Sequence, residues 1–520
     1  MKNGVVNVES GSLAGQYDAD RAVCSFKGVP YAKPPLGPLR WQPPQPPDRW
    51  SGVRPAHAFG PRCIQPNRPP HAVGYFGPEA ESEDCLTLNV WTAATAPDEK
   101  RPVMVWFHGG AFLVGSASLP IFDGGGLARR GAVVVTVNYR LGRLGFLAHP
   151  KLSAEQPFRA SGNYGMLDQI AALQWVRDNI AAFGGDPDRV TIFGQSAGAS
   201  AVSQHMGSPL AKGLFHRAIG QSGGGFFARI LAPLDAAERA GAQFVNALGT
   251  ESIDELRDMP AREIQLARPE DGRFKELYDA ADPKGIDRQT AWPVIDGYAM
   301  PELLMKTFER GAQHDVPLLT GATADEGTTQ PPIPQLAEFL RRARADWGGM
   351  ADDYLKMFSA SSDAEAERSS RRAIGTRVFN WENWTWANLH ARTARADVYL
   401  YYFAHVPPQP KSDAGGDLSR YLGAFHTAEI PYVFQTLDAR RWPWRDSDRE
   451  LSDTMAGYWI NFAATGNPNG AGLPQWPRYQ PQTPATAIFD QGMRVGGVPD
   501  LPTLEFWSSV DAHIRQGMRA

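Results

Sequence analysis

Two serines each sit at the centre of a Gly-x-Ser-x-Gly pentad: Ser196 in Gly194-Gln195-Ser196-Ala197-Gly198 and Ser222 in Gly220-Gln221-Ser222-Gly223-Gly224. The chemistry this spacing suits is nucleophilic attack on a carbonyl carbon. A serine on a strained strand-to-helix turn is presented to the carbonyl, and the flanking glycines let the turn approach neighbouring backbone. The helix that follows aims N–H groups at the oxyanion that forms. Because the pentad occurs twice, context has to select. RVTIF (189–193) before Ser196 reads as a short buried strand, and ASAVSQHM (199–206) after it is an Ala-rich helix start. Ser222 is followed by Gly223, Gly224 and Gly225, which disfavour a helix start, so it reads as a strand end. Ser196 is the expected nucleophile.

A serine hydroxyl needs a base to remove its proton and an acid to orient that base. On a scaffold with this kind of turn the acid and then the base follow the serine along the chain. VPLLTG (316–321) runs into Ala322-Thr323-Ala324-Asp325-Glu326, a carboxylate pair at a strand's C-terminal end; spacing does not separate Asp325 from Glu326. VYLYYF (398–403) is followed by His405 and His426, and spacing gives His426 only an edge. His57 and His71 lie in Pro-rich loops upstream of any core strand. His108 opens the turn His108-Gly109-Gly110-Ala111-Phe112, directly after the apolar run PVMVWF (102–107). That turn, with Ala197, is the expected source of oxyanion donors.

These residues require a rigid frame. PVMVWF and AVVVTVNY (132–139) are continuous apolar, β-branched runs, the pattern of strands covered on both faces. Met166, Ile170, Leu173, Val176, Ile180 and Phe183 form one apolar helical stripe, closed by Gly184 and Gly185. RAIGQS (217–222), VPLLTG and VYLYYF supply further strands. Strands alternating with helices predict an α/β fold on a largely parallel central sheet.

Composition narrows the class. The 520 residues carry 52 Lys and Arg against 56 Asp and Glu, a formal net charge of −4, which gives no reason to expect nucleic acid or an anionic membrane as partner. No apolar run approaches the roughly 20 residues of a membrane span. The start MKNGVVNVESGSLAG lacks the apolar stretch of a secretory signal, so a cytoplasmic protein is expected. Three cysteines, Cys24, Cys63 and Cys85, do not make a disulfide scaffold.

The order of longer blocks adds a resemblance. FKGVPYAKPPLGPLRW (26–41), SEDCLTLNVW (82–91), FHGGAFLVG (107–115), VTVNYRLGRLGFL (135–147), VTIFGQSAGASA (190–201), ADEGT (324–328), GAFHTAEIPYVF (423–434) and WINFAATGNPN (459–469) resemble the type-B carboxylesterases. That group contains cholinesterases, mammalian carboxylesterases and bacterial p-nitrobenzyl esterases. The resemblance implies an α/β-hydrolase fold, helices on both faces of the sheet and large insertions around the site. It implies one domain over 1–520, with 225–395 supplying much of a helical cap-like region. It further implies a serine carboxylesterase acting on a small-molecule ester, without metal or organic cofactor. Glu326 becomes the acid and His426 the base; the oxyanion donors become the N–H groups of Gly110, Ala111 and Ala197. Ser222 matches a serine that supports the site from beneath. Gln195 stands where many members carry glutamate. Arg40 with Glu83 and Arg140 with Asp168 are implied as structural ion pairs, and Cys63 and Cys85 match the positions of a family disulfide.

Phe112, Phe226, Phe227 and the stretch FNWENWTW (379–386) are candidates to line an apolar acyl pocket, or else to fill the core. Asn383-Trp-Thr would be a glycosylation sequon in a secreted protein. The rival reading is a non-catalytic binding protein on the same fold; relatives of that kind generally lack the serine, which this chain keeps. Amide or lactone cleavage, or acyl transfer to another alcohol, would use the same machinery.

Overall fold

The computed structural model describes residues 4–66, 80–227, 231–267, 290–409 and 422–517. Its centre is an eleven-stranded sheet. In chain order the strands are β1 (Gln16–Asp18), β2 (Val23–Pro30), β3 (Thr87–Thr92), β4 (Arg101–Phe107), β5 (Val133–Val137) and β6 (Gly185–Gln195). They continue with β7 (Arg217–Gln221), β8 (Leu318–Thr323), β9 (Val398–Phe403), β10 (Thr486–Phe489) and β11 (Met493–Gly496). Across the sheet the order is β11-β10-β9-β8-β7-β6-β4-β5-β3-β2-β1. Every pairing from β10 across to β5 is parallel, and those outside are antiparallel. The expected parallel core is therefore present, with antiparallel margins that sequence runs alone did not predict.

The apolar runs form strands because both faces are covered. All five residues of β5 and six of seven in β4 are buried. On one side, helix α1 (Tyr164–Asn179) and the 3₁₀ turn Ile180–Phe183 lay the predicted stripe against the sheet; Leu173, Val176, Ile180 and Phe183 are fully buried. Gly184 ends this helix at φ 78°, a left-handed stop. Helix α2 (Ala197–Gly207) starts where β6 stops.

A second set of helices lies further along the chain. α3 (Asp363–Gly375), a π-helical turn over Thr376–Asn380, and α4 (Trp381–Thr393) follow one another without a break. α5 (Asp446–Thr465) packs on the face opposite α1: Met455, Trp459 and Phe462 join Trp106, Phe193 and Tyr401 in a separate apolar cluster. α6 (Leu501–Gly517) packs Trp507 into the first. The implied ion pairs are formed, with Arg40 gripping both carboxylate oxygens of Glu83 and Arg140 both of Asp168. Cys24, Cys63 and Cys85 are buried free thiols, and a hydrogen bond to Cys63 together with burial raises the Cys85 thiol well above its ordinary range. Among the described residues no helix is long and apolar enough to cross a membrane.

Candidate active site

Residues at the C-terminal ends of four parallel strands converge, the edge where open α/β sheets place their ligands. β6 ends at Gln195, and Ser196 follows at φ 59° and ψ −123°, a sparsely populated conformation costing about 1–3 kcal/mol. The flanking glycines are required by close approach. A Cβ on Gly198 would lie 1.9 Å from the Phe107 carbonyl oxygen, and one on Gly194 would lie 2.5 Å from the Gly198 backbone. The Ser196 N–H donates to the Gln221 carbonyl at 2.9 Å, tying the turn to the neighbouring strand β7.

The turn after β4 is pressed against this elbow. A Cβ on Gly109 would stand 2.6 Å from the Gln195 carbonyl oxygen and 3.0 Å from Ser196 Cβ. Gly110 adopts φ 113° and Ala111 φ 56°. Among the described residues, the N–H groups of Gly110, Ala111 and Ala197 donate to no protein acceptor. His108 is spent on the turn itself: it stacks on Tyr139 at 4.5 Å, and burial lowers it to about 4, so it is neutral and its Nδ1–H donates to the Gly109 carbonyl at 2.8 Å.

Beyond β8 the two adjacent carboxylates separate. Glu326 is buried; its Oε1 accepts the Thr323 N–H at 2.8 Å and its Oε2 accepts from His426 Nδ1 at 2.5 Å. That contact leaves Nε2 as the basic nitrogen. Asp325 instead holds the backbone that carries the histidine. Its N–H donates to the Ala424 carbonyl at 2.9 Å, and its Oδ2 accepts the Ala424 N–H at 2.8 Å. Burial raises the Asp325 carboxyl above its usual range. His405 lies in another cluster, 2.6 Å from Asp448 and 2.7 Å from the Asp490 carbonyl. His57 is exposed, and His71 lies outside the described residues.

Both faces of the His426 ring are covered. Gln195 Nε2 is 3.3 Å from Nδ1 and 3.1 Å from Nε2. A point so nearly equidistant from both nitrogens lies over the ring, not on either in-plane lone pair. The Phe379 ring lies 4.2 Å away, tilted by 34°. A ring that close leaves no room for the amide on the same face, so the imidazole is held between the two. Among the described residues Ser196 Oγ makes no hydrogen bond to His426; in unliganded sites this contact is often long and closes on binding.

Further residues brace these parts. Asn383 Oδ1 accepts the Gly223 N–H at 2.9 Å, while its Nδ2 donates to Thr320 Oγ1 at 2.7 Å. It is buried, so the sequon is closed to glycosylation in this fold. Glu382 accepts the N–H groups of Phe226 and Phe227 at 2.5 and 3.1 Å, and burial raises it to about 7. Glu429, three residues beyond His426, accepts from Gln221 Nε2 at 3.0 Å. Burial, with the nearby Glu326 charge, pushes it up to about 7. Ser222 caps β7 at φ 53°, buried, with its N–H on the Gly321 carbonyl and its Oγ unpartnered among the described residues. Phe112 packs on Phe146 and Phe226 on Phe308, both buried; Phe227 is part-exposed against Trp381. A buried acid three residues from a candidate base was a signal available in HTAE (426–429); nothing in the periodicity around Phe379 marked it.

The chain was compared with known proteins. The model of the carboxylesterase family matches residues 2–507. Fumonisin B1 esterase of Sphingopyxis macrogoltabida is 36% identical over 490 residues, covering 92% of this chain and 84% of its own. Para-nitrobenzyl esterase of Bacillus subtilis (strain 168) is 34% identical over 517 residues, covering 96% and 97%. A carboxylesterase structure from Geobacillus stearothermophilus superposes with a TM-score of 0.80 at 35% identity, over 97% of this chain and 100% of that one.

Proposed function

Since this chain belongs to the carboxylesterase family and is a carboxylic-ester hydrolase with the α/β-hydrolase fold, we propose that it works through Ser196, His426 and Glu326. The observation that carries the residue assignment is the Glu326–His426 contact at 2.5 Å, lying beside a strained serine turn. His426 Nε2 takes the Ser196 proton as Oγ attacks the ester carbonyl. Glu326 fixes the tautomer and stabilises the imidazolium. The N–H groups of Gly110, Ala111 and Ala197 receive the oxyanion, preorganised and without competing acceptors among the described residues. The alcohol leaves with the proton from His426, and water releases the acid by the same steps. Asp325 and Ser222 support the geometry without touching the reacting atoms, while Gln195 lies against the ring of the base. We read residues 1–520 as one catalytic domain, with 225–395 forming much of the cap-like region.

Ser196→Ala is expected to lower turnover of p-nitrophenyl acetate by at least about 10⁴-fold while the protein stays folded. Retained activity would overturn the assignment. The relatives are named for esters as different as fumonisin B1 and p-nitrobenzyl substrates. A panel of esters graded in acyl and alcohol size therefore defines the substrate class.

A further inference from the structure

We propose that Phe379 is a positioning residue for the catalytic histidine, and that the π-helical turn carrying it exists to keep one helical face in register with the whole site. The inference rests on the assignment of Ser196, Glu326 and His426 above. Arg371, Gly375, Phe379 and Asn383 stand four residues apart along α3, the π-turn and α4. The first two abut the acid: a Cβ on Gly327 would meet the Arg371 carbonyl oxygen at 1.8 Å, and one on Gly375 would meet Glu326 Cβ at 3.2 Å. Phe379 covers the base at 4.2 Å. Asn380 Nδ2 donates to the Thr323 carbonyl at 3.0 Å, on the residue whose N–H binds Glu326. Asn383 and Glu382 hold the segment from Gly223 to Phe227, and Gly223 backs onto Ser196: a Cβ there would lie 2.4 Å from the Ser196 carbonyl oxygen.

Helix geometry explains why an irregular turn is needed. At 3.6 residues per turn, each step of four overshoots a full turn by about 40°, so three such steps rotate the face well away from the site. The π-turn corrects this. Its closing bond runs from the Trp381 N–H to the Thr376 carbonyl, i→i+5, and packs more residues into one turn. The step from Gly375 to Phe379 then falls short of a turn and cancels the drift. Thr376 and Trp381 are fixed from outside by α6, through Trp507 Nε1 to Thr376 Oγ1 at 3.0 Å and Trp381 Nε1 to Ser508 Oγ at 2.9 Å.

The test uses Phe379→Leu, which keeps an apolar group but removes the flat face, and Phe379→Tyr, which keeps the face. Two readouts are taken: steady-state hydrolysis of p-nitrophenyl acetate, and the rate at which an organophosphate forms an adduct on the Ser196 peptide, followed by mass spectrometry. In Phe379→Leu, kcat and the adduct rate are expected to fall together by about 10- to 100-fold with KM little changed, because a small misplacement of the base costs that much. Phe379→Tyr should stay within about threefold. Should the leucine variant fail to fold, Phe379→Met gives the same comparison. Leucine or methionine variants that keep both rates within about twofold overturn the inference. So does a raised KM at unchanged kcat, which would make Phe379 a substrate contact. A parent enzyme that forms no adduct on Ser196 overturns the triad assignment itself, and this inference with it.

Discussion

Glu429 is a carboxyl that the fold holds protonated at a pH where an unfolded chain would release the proton. Its folded value of about 7, against an ordinary 4.5, comes from burial first and the Glu326 charge second. Below about pH 4.5 both states are protonated, and the contribution to stability is fully present. As pH rises, the unfolded chain ionises while the folded protein keeps its proton, so stability falls by about 1.4 kcal/mol per pH unit. Above about 7 both states are ionised, and the accumulated loss stays near about 3 kcal/mol. Glu429→Gln has no proton to hold. Its Oε1 can still accept from Gln221 Nε2, and its Nε2 replaces an oxygen that has no hydrogen-bond partner among the described residues. Denaturant unfolding of parent and variant, at intervals from pH 5 to 8, measures the difference. The variant should gain on the parent by about 2–3 kcal/mol across that window. Parallel profiles would refute the reasoning, since they would mean that Glu429 ionises alike in both states.

Asp168→Asn leaves the Arg140 guanidinium buried without a counter-charge, so thermal or denaturant unfolding should register a loss of about 3–5 kcal/mol. The adjacent acids should answer differently: Glu326→Gln lowers kcat by about 10³- to 10⁴-fold by removing the charge behind the imidazolium, whereas Asp325→Asn, which keeps the acceptor for Ala424, stays within about threefold in the same assay. Gln195→Glu places a carboxylate over the His426 ring and favours imidazolium, so the acidic limb of the kcat/KM profile should move to higher pH.

Much of the frame was legible because burial on both faces leaves an unbroken apolar run. PVMVWF and VYLYYF became strands nearly to the residue, and the stripe from Met166 to Phe183 became α1 with its 3₁₀ extension. Ser196 was legible because a strand and a helix start flank it. What remained open depended on contacts between distant segments. His405 and His426 follow the same strand; they differ in that Asp448 takes the first and Glu326 the second. Asp325 and Glu326 are told apart by partners 99 and 100 residues away, the Ala424 backbone for the first and His426 for the second. β6 begins at Gly185 rather than Arg189 because Gly185 pairs with Arg101 of β4, ahead of a register shift that takes in Pro187. FNWENWTW read as aromatic filler or pocket wall, since hydrophobic periodicity assumes one helical pitch and the π-turn departs from it.

The brace on that turn has a consequence for biosynthesis. Trp507 reaches Thr376 across 131 residues of chain. At about 5–20 residues per second the ribosome delivers the turn roughly 7 to 26 s before the helix that fixes it. His426 follows Thr376 by 50 residues, so only over the last 81, roughly 4 to 16 s, can a nascent chain hold serine, acid and base yet lack the support behind the Phe379 face. Docking of α6, which packs Trp507 against Trp347, Tyr354 and Phe358, then becomes a late step of maturation.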